Sequence, residues 1–285
     1  MAEPITPGTL YIVATPIGNL EDITWRALRI LREADLIACE DTRQTRKLLD
    51  HYGIEKPAVS YHEHNEAERA RQLIEKLQQG LTIAQVSDAG MPGISDPGYR
   101  VVKLAIEHGI RVVPVPGPSA VIAALAASGL PADAFEFRGF LPAKSGQRRT
   151  ALEQMRDLQH TLIVYEAPHR ITETLEDIVA ILGADRVVVI ARELTKLHEE
   201  FIRGTAGEVL ERIHDRELKG EITLLIGKAE KPASAATTNL RVRVETLMRE
   251  QRLDEKSALK VLARETGLSK SELYRELQRT DRRKR

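Results

Sequence analysis

The chain has 285 residues, with 42 Lys/Arg balanced by 42 Asp/Glu and 42% hydrophobic content, a length that suggests two domains, or one large one with an appendage, and enough apolar residues for a sizeable core. Aromatic residues make up only 4% and Cys39 is the single cysteine, which argues against a strand-tracking stacking protein and excludes an internal disulfide or a CxxC metal knuckle. The opening MAEPITPGTL has no basic n-region or apolar h-region, and no apolar run approaches a membrane span, so the expectation is a cytoplasmic protein without membrane contact.

From residue 9 onward, short apolar runs alternate with amphipathic stretches. Strands are predicted at 9–15, 35–40, 58–61, 81–87 and 111–115, and helices at 24–33, from about Thr42, and at 66–79, 99–108 and 119–128. Such alternation predicts a mostly parallel sheet covered by helices. Pro and Gly cluster at 114–120 and again at 129–135, which places a domain junction there. Further strands are predicted at 135–141, 161–167, 186–193, 200–204 and 221–227, among helices at about 146–157, 169–182 and 206–213. This second half is also α/β, with more scope for antiparallel pairing. The expected organisation is therefore an N-terminal α/β domain over 1–117, a C-terminal α/β domain over 118–230, a linker over 231–239 and a basic helical tail over 240–285. In the tail, Ala258, Leu259 and Leu262 share one helical face, Gly267 stands like a residue just past a helix end, and Ser269 with Glu272 matches a capping box. The pattern resembles a helix-turn-helix. Residues 241–285 hold 14 Lys/Arg against 8 Asp/Glu, so the net charge is +6 there and −6 over 1–240. An acidic body with a basic tail points to a polyanionic partner, with Lys270 and Arg275 as candidate contacts; a solvated helical tail is the plainer alternative.

Several loops stand out. ATPIGNL (14–20) closes the first strand, but it lacks the glycine spacing of a dinucleotide fingerprint and the lysine of a phosphate-binding loop. SDAGMPGISDPG (87–98) follows a buried strand and carries Gly90, Gly93 and Gly98 with Pro92 and Pro97. Glycines let backbone approach a ligand and prolines fix the loop, at the strand ends where α/β sheets bind ligands. PVPGPSA (114–120) repeats this at the next strand end, with Gly117 allowing close approach and Ser119 opening a helix whose free N–H groups suit a carboxylate. Two such loops imply one cleft at the domain boundary.

Together ATPIGNLEDIT, ACEDTRQTRKLL, SDAGMPGISDPG, VPGPSA and RELTKLHEEFIRG resemble the tetrapyrrole-methylase superfamily, the class III methyltransferases that use S-adenosylmethionine, over about residues 8–228. Within it the chain looks most like the branch that modifies ribosomal RNA. Where the porphyrin branch carries G-x-G-x-G-D, this chain has Pro16-Ile17-Gly18-Asn19, which argues against a tetrapyrrole substrate. The resemblance implies two α/β domains with the cofactor folded into the cleft between them, and a homodimer. Carried over by position, it implies cofactor contacts from Pro16, from Asp88, Ala89, Gly90 and Ile94, and from Ser119 and Ala120. Tyr165, Glu166 and Ala167 would make the strand-end contact, and Ala191, Ile222 and Thr223 the adenine-side wall.

The implied reaction is 2′-O-methylation of a cytidine in the decoding region of small-subunit ribosomal RNA, with the assembled subunit as the expected partner. A 2′-hydroxyl is a poor acid, so a proton acceptor is expected. Glu40 and Asp41 at the second strand's end are the first candidates, although Asp41-Thr42 also reads as a helix cap. Lys144 is a weaker candidate, as are His62 and His64. Lys144, Arg148 and Arg149 form a basic run read as phosphate contacts, or else as a surface helix turn. His62-x-His64 lacks a third and fourth ligand at useful spacing, so no metal is expected. Two other functions compete: a small-molecule methyltransferase acting on a tetrapyrrole-like substrate, and a non-catalytic RNA-binding assembly factor.

Overall fold

The computed structural model describes residues 4–229, 240–250, 253–266, 269, 273–275 and 277. It divides into two units, residues 1–229 and 230–285. The larger unit begins with β1 (Thr9–Val13), α1 (Trp25–Glu33), β2 (Leu36–Cys39), α2 (Thr42–His51), β3 (Ala58–Ser60), α3 (Glu66–Gln78), β4 (Ile83–Gln85), α4 (Tyr99–Glu107) and β5 (Arg111–Val115). All pairings here are parallel, in the order β3-β2-β4-β1-β5. Both faces are covered, which explains why the strands read as continuous apolar runs rather than alternating ones. Tyr11, Val13, Ile37 and Cys39 pack under α1 and α2, while Leu10, Ile12, Leu36 and Ala38 pack under α3 and α4. Each fully buried Leu or Ile contributes about 1.5–3 kcal/mol relative to exposure. Helix starts follow the caps: Thr24 accepts from Ala27 N–H, and Asp41 from Arg43 N–H.

The chain then crosses into α5 (Ala120–Ser128), followed by β6 (Phe135–Phe140), α6 (Ser145–Gln154), β7 (Thr161–Glu166), α7 (Ile171–Leu182), β8 (Val187–Arg192), β9 (Glu200–Thr205), α8 (Ala206–Ile213) and β10 (Ile222–Ile226). The sheet order is β6-β7-β10-β8-β9. Only β6 and β7 run parallel; β10 is antiparallel to both β7 and β8, and β9 to β8. Strand alternation divides the two faces. Leu162, Val164, Ile222 and Leu224 join the outer core with α7 and α8, whereas Ile163, Tyr165, Val189, Ala191 and Leu225 face α5 together with Ile17 and Leu194.

The smaller unit contains α9 (Leu240–Glu250) and α10 (Glu255–Thr266). Ala258, Leu259 and Leu262 are buried with Leu273 and Leu277, as their spacing predicts. Val244 and Leu247 of α9 join the same core, so a further helix packs where sequence reading placed only two. The expected linker over 231–239, Gly267, Glu272 and Lys270 lie outside the described residues. Among the described residues no helix is long and apolar enough to cross a membrane.

Candidate functional site

The loops that close β1, β4 and β5 gather at the carboxyl edge of the parallel sheet, opposite the ends of β7 and β10. They enclose a cleft of about 380 Å³. Thr15 and Gly90 join the first two loops by reciprocal backbone bonds of 2.9 and 3.0 Å. Gly90 has φ of 79°, a conformation glycine adopts without the Cβ clash. Gly117 serves the third loop by close approach: a Cβ there would stand 2.9 Å from Ala14 Cβ. Reaching beyond the first loop, Asn19 N–H donates to Thr195 Oγ at 3.0 Å.

Of the residues expected to hold the cofactor, Ala89, Gly90, Ile94, Ser119, Ala120, Tyr165, Glu166, Ala167, Ile222 and Thr223 line this cleft. Pro16, Asp88 and Ala191 do not. Pro16 is buried, and its neighbour Ile17 reaches the cleft instead. Ala191 is 1% exposed, in the core beneath α5. Asp88 ties two strand ends together, its Oδ1 accepting Asp41 N–H at 3.1 Å. Glu166 borders the cleft, but its carboxylate is already engaged. It accepts from Thr174 Oγ at 2.7 Å and Ala167 N–H at 2.8 Å, and pairs with Arg170 at 3.3 Å. Alternation explains this, since Glu166 shares the outer face with Leu162 and Val164.

The charged candidates separate sharply. Asp41 pairs with Arg43 at 2.7 Å and caps α2, and the Arg43 hydrogen bonds hold its carboxyl down to about 2. So weak a base is a poor proton acceptor. Glu40 is the opposite case: burial, then the charges of Asp96, Asp88 and Asp41, push its pKa up. Asp96, which sequence reading passed over, lines the cleft, and burial raises its pKa too. The signal was available, because Asp96 is the second acid of the 87–98 loop. Tyr165 beside it is raised by burial and by the charges of Asp96 and Glu221.

The basic run is corrected. Arg148 is 1% exposed, its Nε on Asp177 at 2.7 Å, and its NH1 on the Ala143 carbonyl. Arg149 also binds Asp177, at 2.6 Å. Burial pushes the Asp177 carboxyl up, but Arg149, Arg148 and Ser145 together bring it below the usual range. Arg148 is thus a core ion pair, not a phosphate contact. Lys144 stays exposed at the start of α6, and Arg275 is exposed in the smaller unit. His62 and His64 stack edge to face at 6.0 Å, and no metal-binding cluster occurs among the described residues.

Residues 9–210 match the family model of tetrapyrrole (corrin/porphyrin) methylases. The chain belongs to this family. It is similar to the ribosomal RNA small subunit methyltransferase I of Halalkalibacterium halodurans, with 50% identity covering 94% of this chain and 93% of the relative. The protein of the same name from Escherichia coli O157:H7 is 49% identical, covering 94% of each chain. Among solved structures, uroporphyrin-III C-methyltransferase from Thermus thermophilus, in complex with S-adenosyl homocysteine, shares the fold at a TM-score of 0.54. It is 20% identical and the match covers 78% of this chain and 98% of that one.

Family membership makes the protein a methyltransferase with S-adenosylmethionine as its methyl donor, and the cleft suits that molecule. Its walls are largely apolar, from Ile17, Ala89, Gly90, Met91 and Ile94. Ser119 makes no side-chain cap, so the N-terminal turn of α5 opens beside the cleft with its N–H groups available to a carboxylate. Asp96 and Glu221 line the same cleft, and their carboxylates suit a donor that carries cationic sulfonium and ammonium groups.

Proposed function

We propose that this methyltransferase acts on a 2′-hydroxyl of small-subunit ribosomal RNA, at a cytidine of the decoding region, with domains 1–117 and 118–230 forming the cofactor cleft and the basic tail holding RNA. The observation that carries this reading is identity of about half, over 94% of the chain, with proteins named for methylating that RNA. When bound, the cofactor supplies a methyl group already activated on a sulfonium. The remaining task is positioning. The 14–20, 87–98 and 114–120 loops would hold the donor, and positioning of its methyl group against the ribose oxygen would be worth on the order of 7–11 kcal/mol. Asp96, in the cleft wall, takes the hydroxyl proton; burial, and after it the charge of Asp88, keeps its basicity high, while Glu40 is a second acid raised by burial and by the charge of Asp96. Asp41 holds Arg43 and the start of α2.

The test is incubation with methyl-labelled S-adenosylmethionine and small subunits lacking the modification, followed by nuclease mapping. Label on the ribose of one cytidine is expected. Label on a base, or on none of the RNA while the cofactor still binds, would redirect the assignment to a different acceptor.

A further inference from the structure

We propose that the exposed ring of Phe140 is the stacking platform for the nucleobase whose ribose is methylated; this rests on the RNA reading above and extends it to how the nucleotide is held.

The geometry begins with a break in the β6–β7 ladder. Phe135, Glu136 and Phe137 pair with Thr161, Leu162 and Ile163, and the register then slips so that Phe140 pairs with Tyr165. In an unbroken ladder residue 139 would stand opposite Tyr165, and alternation would send Phe140 to the outer face. The extra residue is absorbed around Gly139, whose φ is 62°, and where a Cβ would lie 3.4 Å from Ser95 Oγ of the 87–98 loop. Bulges of this kind re-aim a side chain beside functional sites. Here the result is a pair of phenylalanines flanking one tyrosine. Phe137 meets Tyr165 at 5.0 Å and 68°, and Phe140 meets it at 5.6 Å and 57°. Phe137 is packed against the inner core, while Phe140 is 58% exposed and lines the cleft.

A ring kept in water at a cleft mouth by a bulge calls for an aromatic ligand. Of the well-exposed aromatics among the described residues, Trp25, Tyr99, Phe135 and Tyr274 do not line the cleft; Phe140 does. A ribose oxygen within folded RNA reaches an enclosed methyl group only if its nucleotide is splayed out, and proteins receive splayed bases by stacking them on aromatic rings. Phe140 offers one such ring, braced from behind by Tyr165 and bordered by Ile94.

Phe140→Ala, Phe140→Leu and Phe140→Trp are compared with wild type. Methyl transfer to unmodified small subunits is measured, and the dissociation constant of S-adenosyl homocysteine is found by calorimetry. Loss of one base stack predicts a fall in kcat/KM of roughly 5- to 150-fold for Phe140→Ala, with unchanged affinity for S-adenosyl homocysteine. Phe140→Trp restores the rate and Phe140→Leu, similar in bulk but without a ring, does not. Full activity in Phe140→Ala with an active wild type overturns the stacking proposal alone. Equal loss of S-adenosyl homocysteine affinity overturns it in favour of a stack on the cofactor's adenine. Rescue by Phe140→Leu overturns it in favour of apolar filling. If wild type leaves the subunits unlabelled, the RNA reading falls and this proposal with it.

Discussion

Arg148→Ala separates two opposed accounts of the basic run at 144–149. If Arg148 contacted phosphate, its loss would weaken RNA binding and spare the fold. The structure dictates the reverse. Arg148 and Asp177 are 1% and 3% exposed and meet at 2.7 Å, and Asp177 also takes bonds from Arg149 and from Ser145 at 3.0 Å. Breaking a buried pair costs about 3–5 kcal/mol when the remaining charge is left without a partner; Arg149 and Ser145 stay on Asp177 here, so the low end, about 3 kcal/mol, is expected. For a unit of this size, each kcal/mol lowers Tm by about 2–4 °C, so a drop of roughly 6–12 °C is expected. The variant's binding of RNA at a temperature where it is folded, including the dependence on salt, should match wild type. The pH dependence has a definite sign. Asp177 titrates lower in the folded state than unfolded, so its stabilisation is complete above the unfolded value of about 3.9 and is lost as pH falls through the lower folded value. The gap in stability between wild type and variant therefore narrows in acid. Thermal denaturation followed by circular dichroism, beside filter binding at several salt concentrations, reads both quantities. An unchanged Tm with a flattened salt slope would refute the core assignment.

Other expectations follow from the same geometry. Asp96→Asn should lower kcat roughly 100- to 10,000-fold while S-adenosyl homocysteine still binds. In wild type the acid limb of the rate profile should lie above the usual carboxylate range, because burial raises Asp96 and only its ionised form accepts the proton. A raised folded value also means that ionised Asp96 opposes folding at neutral pH, so the same variant should melt above wild type; a lower Tm would count against the burial argument. Gly117→Ala places a Cβ 2.9 Å from that of Ala14, and the crowding should cost about 1–3 kcal/mol of stability and raise KM for the methyl donor. Removing residues 240–285, with their net charge of +6, should weaken RNA binding and reduce the salt slope by about 0.7–0.9 for each phosphate that the tail neutralises in the intact protein. An unchanged slope would remove the tail from the RNA interface.

The fold was largely legible because local and tertiary signals agree. Apolar runs mark the ten strands of the larger unit, Asp41 and Thr205 cap the helices that follow them, and the Gly- and Pro-rich loops fall at strand ends beside the cleft. Orientation was harder. Glu166 closes a strand at the cleft, yet the face it takes depends on which side of the sheet α5 covers, a fact supplied only by packing. Arg148 reads as surface charge until Asp177, 29 residues away in sequence, is brought against it. The start of α9, Leu-Arg-Val-Arg-Val, alternates with the period of a strand, yet it lies in the stretch expected to be helical, and the helix forms there. Asp96 failed to stand out because an acid between Ser95 and Pro97 looks like a turn residue. Its basicity comes from burial in the folded loop.

Backbone strain in the described residues gathers around this cleft. The non-glycine residues with positive φ are Ser95 at 63°, Glu193 at 51° and Thr195 at 66°. Ser95 lines the cleft; Glu193 holds Glu221 of its wall, and Thr195 receives the Asn19 N–H. Glu193 Oε1 accepts from Glu221 N–H at 3.0 Å and from Lys196 Nζ at 2.8 Å, and Lys196 also binds Glu221 at 2.9 Å. Gly18 leaves room for Lys196 and Thr195, and Gly220 for the Glu193 carboxylate, because a Cβ at either glycine would collide with them. Left-handed residues of this kind cost of order 1–3 kcal/mol each and persist only where neighbours over-determine them. The polar contacts that do so run from the 14–20 loop at the end of β1 through Thr195 and Glu193 to Gly220 and Glu221 in the cleft wall. A methyl transfer that depends on alignment needs walls that do not yield, and this chain of contacts links the loop after the first strand of one sheet to the start of β10 in the other.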